Sequence, residues 1–159
     1  MSSKPNTDDV WYAKGLQFEC TACGNCCTGG PGYVWASDAE IDRLAQTLKI
    51  ERGQVLKQYC RKVSGRVSLK EKPRNTQGEY DCTFLQTSPA DVGDGGKVAH
   101  CTRKCGVYAV RPIQCRTWPF WSGNLSSPAA WERATARCPG MNTGKCWPLS
   151  EIIRRRDAE

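Results

Sequence analysis

Four cysteines within eight residues are the feature that most constrains what this chain can fold into. They are Cys20, Cys23, Cys26 and Cys27. Thiolate is the form of cysteine that binds zinc and iron, and closely spaced thiolates are typical of sites for a metal ion or a metal cluster. The run therefore predicts a metal centre around which the rest of the chain is arranged.

A disulfide framework is the competing interpretation, because short cysteine-rich chains are often secreted domains. Residues 1–15 are polar and lack the apolar core of an export signal. No stretch of the sequence approaches the roughly 20 apolar residues of a membrane span. The total of 11 cysteines is odd and cannot be fully paired. The sequence therefore predicts a cytoplasmic protein with no membrane segment, whose reduced thiols bind metal.

The chain length of 159 residues suits one domain, and its hydrophobic content of 39% is low for a self-sufficient core. We expect a polar leader over residues 1–15, a cysteine-cluster metal-binding domain over 16–147 and a basic C-terminal tail over 148–159. A structural zinc site contributes on the order of 10 kcal/mol to the folding of a small domain. We therefore expect a metal-stabilised fold whose metal-free form is wholly or partly unfolded.

Hydrophobic periodicity predicts a small, loop-rich α+β fold. Ser37 and Glu40 have the spacing of a capping box that opens a helix, and an apolar stripe follows at helical spacing. The stripe consists of Ile41, Leu44, Ala45 and Leu48. A second helix completes a pair over about 37–60, and alternating residues predict a short hairpin over about 61–71. A surface loop is expected over 88–99, where glycine and proline are frequent. Another loop is expected over 122–128, followed by a short helix over 131–137.

Four further cysteines stand in separate motifs downstream: Cys82, Cys105, Cys115 and Cys138. With them, the sequence closely resembles the YkgJ-like CxxCxxCC family from about Phe18 to Gly144. The elements that recur in order are the Cys20 to Cys27 run, Cys82-x-Phe-Leu85, Cys105-x-x-Tyr108, Arg111-Pro112, Cys115-Arg116, Pro119-Phe120 and Cys138-Pro-Gly140.

Members of that family are described as zinc- or iron-chelating and are often labelled as containing an iron–sulfur cluster. The resemblance implies a cofactor of zinc or iron, including a [4Fe-4S] or other iron–sulfur cluster. It implies that the ligands are Cys20, Cys23, Cys26, Cys27, Cys82, Cys105, Cys115 and Cys138. The family name describes a chelating pattern and does not imply a reaction.

Two adjacent cysteines limit how these ligands can be divided between metal centres. Cys26 and Cys27 point in different directions in most extended conformations, so they suit two centres better than one tetrahedral ion. The beginning of the run also resembles bacterial ferredoxins, and Cys138 with its following proline is placed to supply a distant ligand. The eight thiolates are therefore either shared between two centres or wrapped around one cluster.

Three cysteines and one histidine lie outside the family pattern. Cys60, at a helix end, is expected to be an ordinary buried thiol. Cys101 stands four residues before Cys105 and could replace it as a ligand, while Cys146 could be a ligand or a structural residue. His100, the only histidine, is expected to be a surface residue in a polar loop.

Aromatic residues and arginines accompany the second group of cysteines. The aromatic residues are Tyr108, Trp118, Phe120, Trp121 and Trp131. They would shield a metal from water, and Arg111 and Arg116 would offset thiolate charge or donate hydrogen bonds to sulfur. The alternative is that the aromatic residues form an ordinary core and the arginines lie on its surface.

The formal charge of +7 counts every cysteine as neutral. Eight thiolates around two zinc ions would lower the charge to about +3. The remaining basic segments, Lys57 to Lys72 and Arg154 to Arg156, are expected to be solvated faces. The charge therefore argues against a nucleic-acid partner.

The sequence favours a metal-binding protein that uses up to eight thiolates for a structural, redox or metal-handling role. Metal ions are the expected partners, and a protein partner is left open. One alternative is a metalloenzyme or enzyme accessory module with an open metal position. No Glu or His with general-base spacing near the cysteine run supports it, so a non-enzymatic role is favoured. The other alternative is a nucleic-acid-binding zinc module that uses Lys57 to Lys72.

Overall fold

The computed structural model describes residues 9–88 and 102–158. The chain divides into two units: unit 1 contains residues 1–21 and 117–159, and unit 2 contains residues 22–116. Each unit combines helices with short antiparallel strands, which confirms the predicted α+β class. His100, Cys101 and nearly all of the loop expected over 88–99 lie outside the described residues.

The elements are short and follow one another closely. In chain order they are β1 (Leu16–Phe18), a 3-10 turn (Asn25–Cys27), β2 (Thr28–Gly29), α1 (Asp38–Leu48), α2 (Arg52–Tyr59), β3 (Cys60–Val63), β4 (Arg66–Leu69), β5 (Glu71–Pro73), β6 (Tyr80–Cys82), β7 (Leu85–Ser88), β8 (Thr102–Cys105), a second 3-10 turn (Tyr108–Val110), α3 (Ile113–Thr117), α4 (Ser122–Leu125), α5 (Pro128–Thr135), β9 (Met141–Trp147) and α6 (Leu149–Arg156).

The two helices predicted in unit 2 are α1 and α2. The capping box opens α1 as expected, because the Ser37 N–H donates to Glu40 at 2.8 Å and the Glu40 N–H donates to the Ser37 hydroxyl at 3.4 Å. The stripe residues Ile41 and Leu44 are fully buried, and Val55 of α2 packs in the same core. Helical periodicity therefore predicted both the helices and the faces that they bury.

The predicted hairpin is β3 and β4, which pair from Cys60 with Leu69 to Val63 with Arg66. Its turn is Ser64-Gly65, and both residues have positive φ, as a two-residue hairpin turn requires. Residues 34–36 add to the free edge of β4. The Leu69 N–H donates to the Val34 carbonyl at 2.8 Å, and the Ala36 N–H donates to the Val67 carbonyl at 3.0 Å.

Two further antiparallel sheets complete unit 2: a three-stranded sheet in the order β2-β6-β5 and the pair β7-β8. The core beneath them is mainly aliphatic. Its buried members are Ala36, Ile41, Leu44, Ala45, Val55, Cys60, Leu69, Phe84 and Val107. Four of these nine residues, Ile41, Leu44, Ala45 and Val55, come from α1 and α2.

Unit 1 is built on the antiparallel pair of β1 and β9 and on helices α4 to α6. Its buried core contains Tyr12, Phe120, Leu125, Trp131, Met141 and Ile152. Phe120 is completely buried, and its ring lies 5.9 Å from Trp131 and 5.7 Å from Trp147. Three of the six buried residues of unit 1 are therefore aromatic, and the rings of Phe18, Trp118 and Trp147 pack against this core.

Two local expectations in unit 1 differ from the structure. The segment expected to be a loop over 122–128 contains α4, because Leu125 is buried and draws the segment against the core. The helix expected over 131–137 begins earlier, at Pro128. Ser127 caps it by accepting the Ala130 N–H at 3.1 Å, and proline suits the first helical turn.

The C-terminal segment predicted as a basic tail contains helix α6, which buries Ile152 completely. Near the other predicted boundary, Tyr12 is buried in the core of unit 1. The boundaries expected at residues 15 and 147 stay a prediction. Within the two described ranges, no helix has the length and apolar character to cross a bilayer.

Candidate metal centre

Five of the predicted ligands converge in unit 2. We call Cys26, Cys27, Cys82, Cys105 and Cys115 the thiol cluster. The Cys27 thiol lies within hydrogen-bonding reach of both the Cys26 and the Cys105 sulfurs. Cys82 and Cys115 are close enough for the charges on Cys26 and Cys105 to raise their pKa values. Residues 89 positions apart in the sequence thus share one electrostatic environment.

Strand register brings the first and second groups of cysteines together. In the sheet of β2 and β6, Thr28 pairs with Asp81 and Gly29 pairs with Tyr80. Because the strands are antiparallel, Cys27 directly before Thr28 comes opposite Cys82 directly after Asp81. The β2-β6 register therefore aligns the end of the cysteine run with Cys82.

A tight turn after Cys82 and the β7-β8 hairpin position Cys105 in the thiol cluster. Residues 83 and 84 connect β6 to β7, so Cys82 ends one strand and Leu85 begins the next. Leu85 pairs with Cys105 across β7 and β8, and the Gly106 N–H donates to the Phe84 carbonyl at 2.8 Å. This geometry explains the motif Cys82-x-Phe-Leu85, since the spacing sets how closely Cys105 returns to Cys82.

Two of the sulfurs accept backbone hydrogen bonds in the same way. Cys82 accepts the N–H of Phe84, and Cys105 accepts the N–H of Val107. In each case the donor lies two residues after the cysteine. Backbone N–H groups directed at sulfur stabilise the thiolate, which is the form that binds a metal. The turns after Cys82 and Cys105 are therefore suited to hold ligating sulfurs.

Cys115 is carried by α3, a short helix that two polar side chains hold in place. Glu40 of α1 is buried, and its Oε1 accepts the Ile113 N–H at 2.6 Å. Gln114 accepts the Trp35 N–H and donates to the Tyr33 carbonyl, each at 3.0 Å. A helix of five residues has little stability of its own, so these contacts position Cys115.

Hydrogen bonding within the thiol cluster gives its members different pKa values. The hydrogen bond from Cys27 lowers the pKa of Cys26 to about 7 and that of Cys105 to about 6. The pKa of Cys27 is raised far above its ordinary value, because its proton is shared with Cys105 and Cys26. The cluster thus favours a proton held between two thiolates.

Burial acts in the opposite direction on the remaining two members. Desolvation raises the pKa of Cys115 to about 12, and it also raises the pKa of Cys82. Ionising all five thiols is costly, because the repulsion between their charges adds to the cost of desolvation, and additional positive charge nearby would lower this cost. A bound metal cation supplies such a charge.

Arg111 supplies a fixed positive charge near the thiol cluster. Its charge lowers the pKa of Cys26 and Cys105. The guanidinium lies over the Tyr108 ring at 3.7 Å, and Nε donates to the Tyr108 carbonyl at 2.9 Å. Arg116 instead forms an ion pair with Glu40 at 3.9 Å. Of the two arginines expected to offset thiolate charge, Arg111 has this effect on the cluster.

Gly24 allows the cysteine run to turn close to β7 and β8. It has φ of 73° and precedes the 3-10 turn that carries Cys26 and Cys27. A Cβ at Gly24 would lie 3.1 Å from both Leu85 and the Arg103 Cβ. Glycine is therefore required here both for the left-handed backbone and for the close approach.

The other three predicted ligands are placed differently. Cys23 belongs to unit 2 but is not among the partners of the thiol cluster. Cys20 and Cys138 belong to unit 1. They flank the hydrogen bond from the Glu19 N–H to the Gly140 carbonyl, at 3.0 Å, and the Trp118 Nε1–H donates to the Cys138 sulfur at 3.4 Å. Ligation by these three cysteines stays a prediction.

Two cysteines outside the family pattern are described. Cys60 is buried in the core of unit 2, and desolvation raises the pKa of its thiol. This is the environment expected of an ordinary buried cysteine. Cys146 is exposed on β9, where it pairs with Gln17.

The aromatic residues expected around the second group divide between two roles. Phe120 and Trp131 form the core of unit 1, and Trp118 contacts Cys138 there. Trp121 packs edge-on against Trp118 at 4.8 Å. Tyr108 lies in unit 2 under Arg111. Most of these rings therefore serve as an ordinary core.

The thiol cluster has the donor chemistry for zinc or iron. Its donors are all sulfur, which suits zinc and iron–sulfur centres and does not suit calcium or magnesium. Across residues 9–88 and 102–158, no three or more His, Cys, Asp and Glu side chains are already arranged as a coordination sphere. Three of the sulfurs instead hydrogen-bond to one another, because Cys27 bonds both Cys26 and Cys105.

Sequence reasoning missed the two residues that position α3. Glu40 was assigned to the capping box of α1, and its second role at Ile113 depends on the packing of α1 against α3. Gln114 carries no local pattern that indicates its contacts with residues 33 and 35. The available signal was that Gln114 is a polar residue directly before the predicted ligand Cys115.

Sequence comparison finds similar proteins. A family model described as CxxCxxCC, "Putative zinc- or iron-chelating domain", matches residues 19–139. An uncharacterized protein of Methanocaldococcus jannaschii is 31% identical over 121 residues, which is 76% of this chain and 53% of the relative. The chain thus spans about half the length of that relative. No solved structure matches. The match over residues 19–139, which contain all eight predicted ligands, shows that this chain belongs to the CxxCxxCC family.

Proposed function

We propose that this protein binds zinc or iron through the thiol cluster and that the bound metal completes the fold of unit 2. The observation that carries the proposal is the convergence of Cys26, Cys27, Cys82, Cys105 and Cys115. A cluster of ordinary structural thiols would not need sulfurs from the cysteine run, two hairpins and a separate helix in one place.

The backbone donors add independent support. The N–H groups of Phe84 and Val107 already point at the Cys82 and Cys105 sulfurs. Metal binding would replace the sulfur–sulfur hydrogen bonds with metal–sulfur bonds of about 2.3 Å for zinc. The backbone hydrogen bonds would remain and would stabilise the ligands in the bound form.

Five sulfurs exceed the four that one tetrahedral ion takes, so the cluster suits a site with one spare thiol or an iron–sulfur centre. We assign Cys20, Cys23 and Cys138 as further ligands of the protein, which gives up to eight. The role is structural, redox or metal-handling, and a reducing compartment such as the cytoplasm would keep the thiols available.

Anaerobic metal and acid-labile sulfide analysis of freshly purified protein tests the proposal. We expect bound zinc or iron, with absorbance near roughly 400 nm if an iron–sulfur cluster is present. Cys105→Ser and Cys115→Ser should each lower the metal content, because each removes a ligand. Cys60→Ser and Cys146→Ser are the matched controls and should keep it.

Two results would contradict the proposal. One is a wild-type protein that carries no zinc or iron and takes up neither on reconstitution. The other is a loss of metal in Cys60→Ser as large as that in Cys105→Ser, with both variants folded, which would mean that the ligand set is different.

A further inference from the structure

A column of planar side chains lies on the outer face of the β3-β4 hairpin. The rings of Tyr33 and Trp35 are stacked with centroids 4.9 Å apart and planes 15° from parallel. The Arg61 guanidinium lies 5.0 Å from the centre of the Tyr33 ring, and that of Arg66 lies 4.0 Å from the centre of the Trp35 ring. Tyr33 is 49% exposed. Four planar groups are thus collected at one surface.

Strand alternation explains why these groups share a face. Trp35 bridges Ser68, Arg61 pairs with Ser68, and Arg66 pairs with Val63. Positions two apart along a strand face the same way, so Tyr33 joins Trp35, and Arg66 joins Ser68. The opposite face carries the core residues Cys60 and Leu69. The buried Ser68 is small enough for the larger side chains to extend over it.

Hydrogen bonds from both sides hold the backbone of residues 33–35 in place. Gln114 bonds the backbone N–H of Trp35 and the backbone carbonyl of Tyr33, each at 3.0 Å. The Val34 N–H also donates to the Ser68 hydroxyl at 3.1 Å. A surface held in this way loses little conformational entropy when a ligand binds.

The hairpin and the residues that flank it carry a local excess of positive charge. Residues 57–74 contain one carboxylate, Glu71, and seven cations: Lys57, Arg61, Lys62, Arg66, Lys70, Lys72 and Arg74. Within the described ranges, the carboxylate near Arg61 is Glu71 at 3.4 Å, and the one near Arg74 is Glu79 at 3.5 Å. Lys62, Arg66 and Lys72 are exposed. The net charge of the whole metal-loaded chain, about +3, does not reveal that these cations are concentrated in one segment.

We propose that the face formed by Tyr33, Trp35, Arg61 and Arg66 binds single-stranded nucleic acid. Bases are planar and stack on aromatic rings and on guanidinium planes, so they can extend the column at its exposed end. Phosphates between successive bases would meet the cations of the hairpin. An acidic peptide would use the cations but has no use for a stacked aromatic column, and duplex DNA keeps its bases inside. The observations therefore favour a single strand over these partners.

This proposal goes beyond metal binding, and its failure is distinguishable from failure of the proposed function. Fluorescence anisotropy of the metal-loaded full chain with labelled oligo-dT and oligo-rU of about 12 nucleotides tests it, a length within the roughly 4–16 nucleotides that a single OB-fold domain covers. We expect binding that weakens as salt rises and is tighter than binding to a duplex of equal length. Metal content, measured on the same samples, reports separately on the thiol cluster.

Matched variants separate stacking from charge. Tyr33→Ala should weaken binding about tenfold, whereas Tyr33→Phe keeps the ring and should bind as the wild type does. Arg66→Gln should weaken binding and reduce the salt slope by about 0.7, the value for one phosphate contact on a single strand. Arg133→Gln, an exposed charge change on α5, is the control and should have no effect.

Three outcomes would overturn the proposal. They are no binding at low salt by metal-loaded protein, unchanged binding by folded Tyr33→Ala, and equal or tighter binding to the duplex. Binding to phosphatidylglycerol vesicles in place of the oligonucleotides would likewise overturn it, because it would show a surface that recognises anionic charge alone.

Discussion

The core of unit 1 contains several large aromatic rings, whereas the core of unit 2 consists mainly of aliphatic side chains, and unit 2 also contains the five thiols of the cluster. Phe120 in unit 1 has Phe18, Trp131 and Trp147 as ring neighbours within about 6 Å. The buried core of unit 2 consists of residues such as Ile41, Leu44 and Val55, with Phe84 as its one buried ring among the described residues.

The difference concerns how each unit is stabilised. Burying an aromatic side chain removes a large apolar area from water, so unit 1 has the material for a core of its own. Thiols contribute less apolar area, and a cluster of five adds electrostatic repulsion as soon as they lose protons. Unit 2 is therefore the part of the chain whose stability we expect to depend on metal.

Metal removal is the change with the largest expected effect. Because binding free energy becomes folding free energy, chelation should withdraw on the order of 10 kcal/mol from unit 2. We expect amide hydrogen exchange to accelerate in β2, β6, β7, β8 and α3, while α5 and α6 of unit 1, which carry none of the proposed ligands, keep their protection. Chelator with excess zinc is the control, and equal acceleration in both units would contradict the comparison.

The corresponding test for unit 1 is a substitution that creates a cavity in its core. Phe120→Ala should lower the free energy of unfolding by about 3–5 kcal/mol, because it empties a completely buried site between aromatic rings. Urea denaturation measures the loss, and Phe120→Leu, which keeps most of the volume, should lose less. Metal content per chain in the thiol cluster should not change, and a proportional loss of metal would argue against separate means of stabilisation.

The substitution Glu40→Gln tests how much the buried Glu40 carboxylate stabilises unit 2. Burial raises the pKa of Glu40, but the N–H groups of Ser37 and Ile113 outweigh it and hold the pKa below its ordinary value of 4.5. We expect a loss of about 1–3 kcal/mol near neutral pH, because a buried charged acceptor of several hydrogen bonds is replaced.

The pH dependence of that loss has a definite sign. A lowered folded-state pKa contributes stability that is present above the unfolded pKa and is lost as pH falls through the folded value. The difference between Glu40→Gln and the wild type should therefore shrink as pH falls below 4.5. Urea denaturation over a pH series measures it, with the exposed Glu132→Gln of unit 1 as the control. A difference that grows toward acid pH would refute this role.

The smallest expected effect is at the entrance to the cysteine run. Gly24→Ala should destabilise unit 2 by about 1–2 kcal/mol, because alanine is disfavoured at positive φ and its Cβ would press against Leu85. Gly30→Ala is the matched control, since Gly30 has open space around its Cβ position. Thermal unfolding compares the two, and equal midpoints would show that the run tolerates a different turn.

Helical periodicity and capping made part of this fold predictable. The stripe from Ile41 to Leu48 and the Ser37-Glu40 box are local signals, so α1 and α2 follow from the sequence. The β3-β4 hairpin follows from alternation around Ser64-Gly65. The five strands β2 and β5 to β8 are two to four residues long and pair without a two-residue turn between them, so they lack the local hairpin signal of β3 and β4 and were not anticipated.

The same limit applies to the candidate site. The cysteine run and its partners could be recognised as ligands by their spacing, but which sulfurs meet depends on the registers of β2 with β6 and of β7 with β8. Those registers are set by packing between distant segments, and the local sequence does not encode them. The placement of Cys20 and Cys138 in unit 1 is a finding of the same kind.

The amide of Gln114 has a consequence for how metal binding can be observed. It accepts the backbone N–H of Trp35 and directly precedes Cys115 in the chain, so a displacement of α3 on ligation reaches the backbone that carries the Trp35 indole through a single side chain. Trp35 is therefore an intrinsic fluorophore coupled to Cys115, and the part of the emission that is lost in Trp35→Phe, among six tryptophans, should follow metal occupancy without a label.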